Sequence, residues 1–224
     1  MAVEHFKDVK LYVAGFDLSS DMNDLQLEHS AEMLDITAFG DGTRKHLSGM
    51  MAVRASYRGY ENYGVNLVDD VLSSRIGTAD VPVTFGPTNK ALENEVAYFL
   101  NALHASYQQS GSVGQVQMID VGVVGSDGRP LVRGTVLHDT ATARTATGNG
   151  TARNVGSVSA TQKLYAILHV IDASGTTPTL DVIVQSDDGS GMATPTNRIT
   201  FAQKTAVGAE YATPVAGAIT DTWW

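Results

Sequence analysis

Two stretches of strict two-residue alternation, set either side of a polar segment punctuated by glycine, constrain this chain more than any other feature. In Asp24–Met33, Asp24, Gln26, Glu28, Ser30 and Glu32 fall on one face. Leu25, Leu27, His29, Ala31 and Met33 fall on the other. Alternation of this kind suits a half-buried strand, because successive side chains point to opposite faces of a sheet. A helix competes for the same residues: Ser20 could cap it, and Leu27, Ala31 and Leu34 would share a face. Met51–Tyr60 alternates again, with Met51, Val53, Ala55 and Tyr57 opposed to Arg54, Ser56 and Arg58. Between them lies a loop, Phe39–Gly49. Two strands around it make an extended hairpin. Its apolar odd face is the one to be buried, and Glu28 and Glu32 can meet Arg54 and Arg58 across the strands. Ion pairs on a solvated face contribute little, so this charge pattern matters more for what the face meets than for stability.

The rest of the chain is also mainly β in pattern. Strands are expected at Val9–Val13, Val81–Phe85, Val116–Val124, Leu131–His138, Leu164–Ile171, Leu180–Gln185, Ile199–Ala202 and from Glu210 onward. Asp127-Gly128 between apolar runs predicts a hairpin, because both residues tolerate positive φ. Asn66–Arg75 has Leu67, Val71 and Leu72 at helical spacing and Gly77 as a stop, so a helix is expected there. Asn89–Tyr107 fits helix or strand. Thr140–Gly156, rich in Thr, Ala and Gly, reads as a surface loop. Many short strands separated by turns point to a sandwich or barrel. A single domain over residues 1–224 is expected, with residues 140–160 as the place for any division.

Composition excludes several classes of chemistry. The chain has 224 residues and no cysteine, which rules out disulfides, thiolate metal sites and a cysteine nucleophile. The net charge is -9, with most of the acid excess in residues 1–112. Gripping phosphate backbones depends on Lys and Arg, so nucleic-acid binding is not expected. An acidic surface suits DNA that slides past without sticking. The opening residues carry charge where a signal peptide needs an apolar core, and no apolar run approaches the ~20 residues of a membrane span. Synthesis in the cytoplasm and no membrane partner are therefore expected. His5, His29, His46, His104, His138 and His169 include no pair at metal-ligand spacing, so no metal or other cofactor is expected. Asp187-Asp188-Gly189-Ser190-Gly191 is similar to a calcium loop but lacks alternating oxygen ligands and a distal Glu, which favours a plain turn. No nucleophile elbow or phosphate loop occurs, and an enzymatic role is not expected. Trp223 and Trp224 should pack on the domain or on a neighbour.

The segment Asp8–Ser19 (DVKLYVAGFDLS) resembles the opening of siphovirus-type bacteriophage major tail tube proteins. Glu32–Gly49 (EMLDITAFGDGTRKHLSG) resembles their following strand and long loop, and is the most specific match. Gln185–Gly191, Ala209–Ala212 and Ile219–Thr222 are similar to the family's C-terminal strands, while Ala91–Gly156 matches less well. The resemblance implies a β-sandwich with one flanking helix and a long inter-strand loop, contributing strands to an intersubunit β-barrel. It implies a virion subunit that polymerises into stacked, hexameric rings, forming a tube that delivers DNA to the host. It resolves Asp24–Met33 as strand. Asp24, Glu28, Glu32, Arg54 and Arg58 would face the lumen, with a net negative wall. Asp41, Arg44, Lys45 and His46 would contact the next ring. Implied partners are copies of the chain, the tape measure, tail terminator and distal tail proteins, and double-stranded DNA passing without specific binding. The alternative is a tail or baseplate decoration protein, or a carbohydrate-binding β-sandwich.

Overall fold

The computed structural model describes residues 6–141 and 143–224. The charged opening through His5, and Thr142 of the expected loop, lie outside the described residues. The chain is mainly β, as its pattern requires, and forms two compact units.

One unit comprises Asp21–Val81 and Leu100–Leu131. It holds β3 (Met22–Asp35), β4 (His46–Tyr60), α1 (Val68–Ser73), most of β6 (Val96–Ser110) and β7 (Met118–Gly125). Its strands pair antiparallel in the order β6-β7-β4-β3. Asp24–Met33 is therefore strand, and it forms the expected hairpin with Met51–Tyr60. The alternation works as written near the root of that hairpin. Val53, Ala55 and Tyr57 are buried, as are Val121 and Val123 opposite Tyr57 and Ala55 on β7. The expected helix is shorter than Asn66–Arg75. Leu67 stands at its N-cap and is partly exposed, and the buried positions are Val68, Val71 and Leu72. Asp69 and Asp70 in the first turn oppose the positive end of the helix dipole. Asn89–Tyr107, open between helix and strand, resolves into a short 3₁₀ turn at Asn89–Ala91 and the long strand β6.

The other unit comprises the segment ending at Ser20, Pro82–Phe99 and Val132–Trp224. Here β1 (Lys10–Val13) pairs with β2 (Phe16–Asp17) and with β5 (Val81–Gly86). The start of β6 pairs with β8 (Val132–Thr135). Three two-stranded sheets complete the unit: β10 (Ile167–Val170) with β13 (Gly208–Tyr211), β11 (Ile183–Ser186) with β12 (Thr196–Thr200), and β9 (Lys163–Leu164) with β14 (Val215–Ala216). Ile199, Phe201 and Ala212 are buried against Leu164, Leu168, Val184 and Val215. Trp224 is buried and donates its indole N–H to the Gly156 carbonyl at 2.8 Å, so the terminal aromatic packs on its own unit. Asp187 and Asp188 sit in a turn after β11. The Asp187 carboxylate accepts the backbone N–H groups of Gly189 and Thr194 at 3.1 and 2.7 Å.

The Asp127-Gly128 hairpin is corrected by the strand pairing. Both residues take positive φ, 55° and 59°, and Arg129 N–H closes the turn on the Ser126 carbonyl. The strands either side do not pair with each other, however. β7 lies along Ala102–Ser110 of β6, and β8 along Val96–Phe99 of the same strand. The turn thus interrupts two successive partners of β6. A left-handed dipeptide fixes where the chain turns, but the long apolar strand β6 decides what the flanking strands pair with.

Candidate assembly surface

The β3/β4 hairpin gathers all of the site residues expected from the sequence. Its strands, Met22–Asp35 and His46–Tyr60, are much longer than an average strand. Among the described residues, β3 pairs with β4 alone and leaves its other edge of backbone N–H and C=O groups unpaired. Such an edge is a template for pairing with another chain.

Across the root, the even-numbered residues form rows over adjacent strands. Asp24 lies opposite Arg58, which lies opposite Asp120 on β7, which lies opposite Gln108 on β6. Glu28 lies opposite Arg54, and Gln26 opposite Ser56. Cross-strand pairing of Arg58 with a glutamate, one of the expected arrangements, is not what forms. Arg58 donates to the Asp120 carboxylate through Nε at 3.1 Å and again through Nη2. This carboxylate holds the guanidinium pKa above its ordinary value, and the Asp24 charge adds to it. Asp120 is absent from the sequence-based set because it is a single acid in an apolar run, and only the β4–β7 register brings it to Arg58. On the opposite face of the root, Tyr57 is buried and its hydroxyl meets His104 Nε2 at 2.6 Å.

Farther out, the hairpin leaves its own core. Met33, Met50 and Met51 are 75%, 81% and 68% exposed, and Leu34, Ile36 and Leu47 are exposed as well. The expectation that the whole odd face is buried therefore holds only at the root of β4; on β3 Leu25 and Leu27 are half-buried, and His29, Ala31 and Met33 are exposed. Alternation records which side chains share a face, but not where along the strand the packing ends. A bulge falls between Ala31 and Met33, where Gly49 and Met50 together oppose Glu32. It sets Leu34 opposite Leu47 and Asp35 opposite His46. The polar face of the root thus carries an apolar pair near the tip, while the apolar face of the root ends in Asp35 and His46. Glu32 leans over Gly49, whose missing side chain leaves the space it occupies: a Cβ there would lie 2.9 Å from Glu32 Oε2.

The loop proper is residues 36–45, shorter than Phe39–Gly49, because His46–Gly49 belong to β4. It is braced by its own polar groups. Asp41 accepts the Ala38 N–H at 2.9 Å and pairs with the Lys45 ammonium. Lys45 N–H donates to Thr37 Oγ1 at 3.0 Å, and Ile36 N–H to the Lys45 carbonyl at 3.0 Å. Lys45 and the Ala38 N–H hold the Asp41 carboxyl below its ordinary pKa, and the Thr37 hydroxyl does the same for Asp35. Of the four tip residues expected from the sequence, Asp41 and Lys45 meet, Arg44 is exposed beside them, and His46 opens β4. Phe39 projects fully into solvent.

No protein-family model matches the sequence, and neither does any curated protein. Solved structures do resemble the fold. A chain from the virion of the native gene transfer agent is 12% identical with a TM-score of 0.45, over 58% of this chain and 99% of its own length. A chain from the sheath/tube terminator of PVC, an extracellular contractile injection system in its extended state, is 16% identical with a TM-score of 0.47, over 60% of this chain and 100% of its own. A chain from the tube-terminating cap of the anti-feeding prophage is 12% identical with a TM-score of 0.46, over 60% of this chain and 95% of its own.

Proposed function

We propose that this chain is a structural subunit of a tail tube in a virion, polymerising into stacked hexameric rings that conduct DNA. The observation that carries this reading is the β3/β4 hairpin: a long strand with an unpaired edge, whose outer half exposes methionine and leucine side chains that the subunit itself does not cover. Pairing of that edge with the neighbouring copy would continue the sheet around a ring, and one repeated heterologous contact closes on itself. The exposed apolar tip would then be buried against the next ring, with Asp41, Arg44, Lys45 and His46 around it. On this reading residues 1–224 act as one tail tube domain, with the tape measure, terminator and distal tail proteins at its ends. The row Asp24–Arg58–Asp120, with Glu28, Glu32 and Arg54, would face the channel. Carboxylates outnumber guanidinium groups there, so the wall would repel phosphate and let DNA pass without specific binding. The experiment is negative-stain microscopy of the purified chain over a concentration series. Rings or tubes with sixfold symmetry are expected. A chain that stays monomeric at high concentration sinks the proposal.

A further inference from the structure

We propose that the unit containing Val132–Trp224 carries a binding groove for an anionic oligosaccharide. The groove, about 560 Å³, is lined by Arg133, Ser157, Thr161, Gln162, Lys163 and Tyr165 among others. It is independent of the hairpin and of the tube reading.

The charge in the groove distinguishes it from the rest of the surface. The chain is acidic, and many of its bases are paired with carboxylates. Arg133 and Lys163 are exposed, and among the described residues no carboxylate lies within ion-pair distance of either. Two unneutralised cations in one concavity attract an anion locally, although the net charge of the chain opposes it at long range, where salt screens the repulsion. Ser157 and Thr161 add hydroxyls that can donate or accept, which suits a polyol. Tyr165 adds an aromatic ring, and it is fixed edge-on to Tyr211 at 6.4 Å, which in turn packs on Phe99 at 5.7 Å. An aromatic ring beside hydrogen-bonding groups suits the alternating C–H and O–H surfaces of a sugar.

The walls are held in place before any ligand arrives. Val155 and Gly156 donate to the Thr222 carbonyl at 3.1 and 3.2 Å. Val158 and Ile219 exchange backbone hydrogen bonds at 2.9 and 2.7 Å. Gln162 closes a turn on Ser159 through its backbone N–H at 3.0 Å, and its side-chain oxygen accepts the Ser159 N–H at 3.0 Å. Lys163 lies on β9, paired with β14, and Arg133 on β8, paired with β6 at Tyr98. A groove whose backbone is already ordered loses little entropy on binding.

The test is calorimetric titration of the full chain with trigalacturonate and with phosphorylated maltotriose, which separate carboxylate from phosphate as the anion. Unmodified maltotriose and inorganic phosphate serve as controls. Binding of either anionic sugar is expected, weakening as salt rises. Arg133→Ser with Lys163→Ser should weaken it about tenfold or more, and Tyr165→Ala should also weaken it, while Lys90→Ser leaves it unchanged. Arg133 and Lys163 are exposed, so their substitution leaves the fold intact, whereas Tyr165 is half-buried against Tyr211; a thermal melt of each variant separates lost binding from lost folding. The proposal is overturned if neither anionic sugar binds, if maltotriose or inorganic phosphate binds equally well, or if the groove variants bind as the parent does.

Discussion

Acidification probes the buried pair at the root of the hairpin. His104 is fully buried and meets the Tyr57 hydroxyl. Burial, reinforced by the Arg75 charge, lowers its pKa from 6.5 to about 4. In the unfolded chain the imidazole takes up a proton as pH falls through 6.5, whereas in the folded chain it stays neutral until about 4. Between those values the unfolded state holds one more proton, so stability falls as pH falls. The slope is about 1.4 kcal/mol per pH unit, and the accumulated loss is on the order of 3 kcal/mol. The contribution is fully present above the unfolded pKa and is gone below the folded one. His169, whose burial lowers its pKa to about 3, acts in the same direction. The assay is urea unfolding from about pH 7 to about pH 4, comparing the parent with His104→Gln, which keeps a polar partner for Tyr57 but does not titrate. Carboxylates and His169 are common to both proteins and cancel in the difference. The stability gap between the two should change by about 1.4 kcal/mol per pH unit across that interval. Parallel stability curves would refute the reasoning.

Replacing residues 36–45 with an Asn-Gly turn joins Asp35 to His46, which are already register partners. The subunit should fold with an unchanged urea midpoint yet fail to sediment as polymer, and normal tubes would remove the tip from the assembly contact. Exchanging Met50 and Met51 for serine should change stability by less than about 0.5 kcal/mol, because both are exposed. It should raise the concentration needed for polymerisation, and an unaltered critical concentration by light scattering would count against burial of the tip. Gly59→Ala places a Cβ 2.2 Å from the Asp21 carbonyl oxygen and 2.8 Å from Met22 Cα. Backbone atoms cannot rotate aside, so a loss of about 1–3 kcal/mol in urea unfolding is expected, and an unchanged midpoint would contradict the packing described at that crossing.

Local pattern and long-range partner choice separated cleanly in this chain. Alternation places Met51–Tyr60 as a strand but leaves Asp24–Met33 open to a helix, which the family resemblance resolves; once both are strands, their pairing follows because a hairpin's partner is its neighbour in sequence. Asp127-Gly128 announced its own backbone conformation but not its role, since β7 and β8 both take β6 as partner. Asp120 was invisible as a site residue because its meaning depends on a strand sixty or so positions away, at Arg58. Period alone puts Met33 and Met51 on the buried face, and the sequence holds no local mark of where the subunit's core stops supporting the hairpin. The groove at Arg133, Lys163 and Tyr165 is likewise not legible, because Arg133 meets the segment Val155–Tyr165 only through the fold.

The bulge at Gly49 and Met50 makes the hairpin two reading frames in tandem. Inward of it, Tyr57, Ala55 and Val53 answer to the subunit's own core, and drift there is limited by folding. Outward of it, Leu34, Leu47, Asp35 and His46 are in register only because the extra residue sets their phase. A one-residue change of length at this point would rephase the tip while leaving the root untouched. Lineages could therefore alter what the tip recognises without rebuilding the subunit, so variation in length should be tolerated at the bulge and selected against at the root.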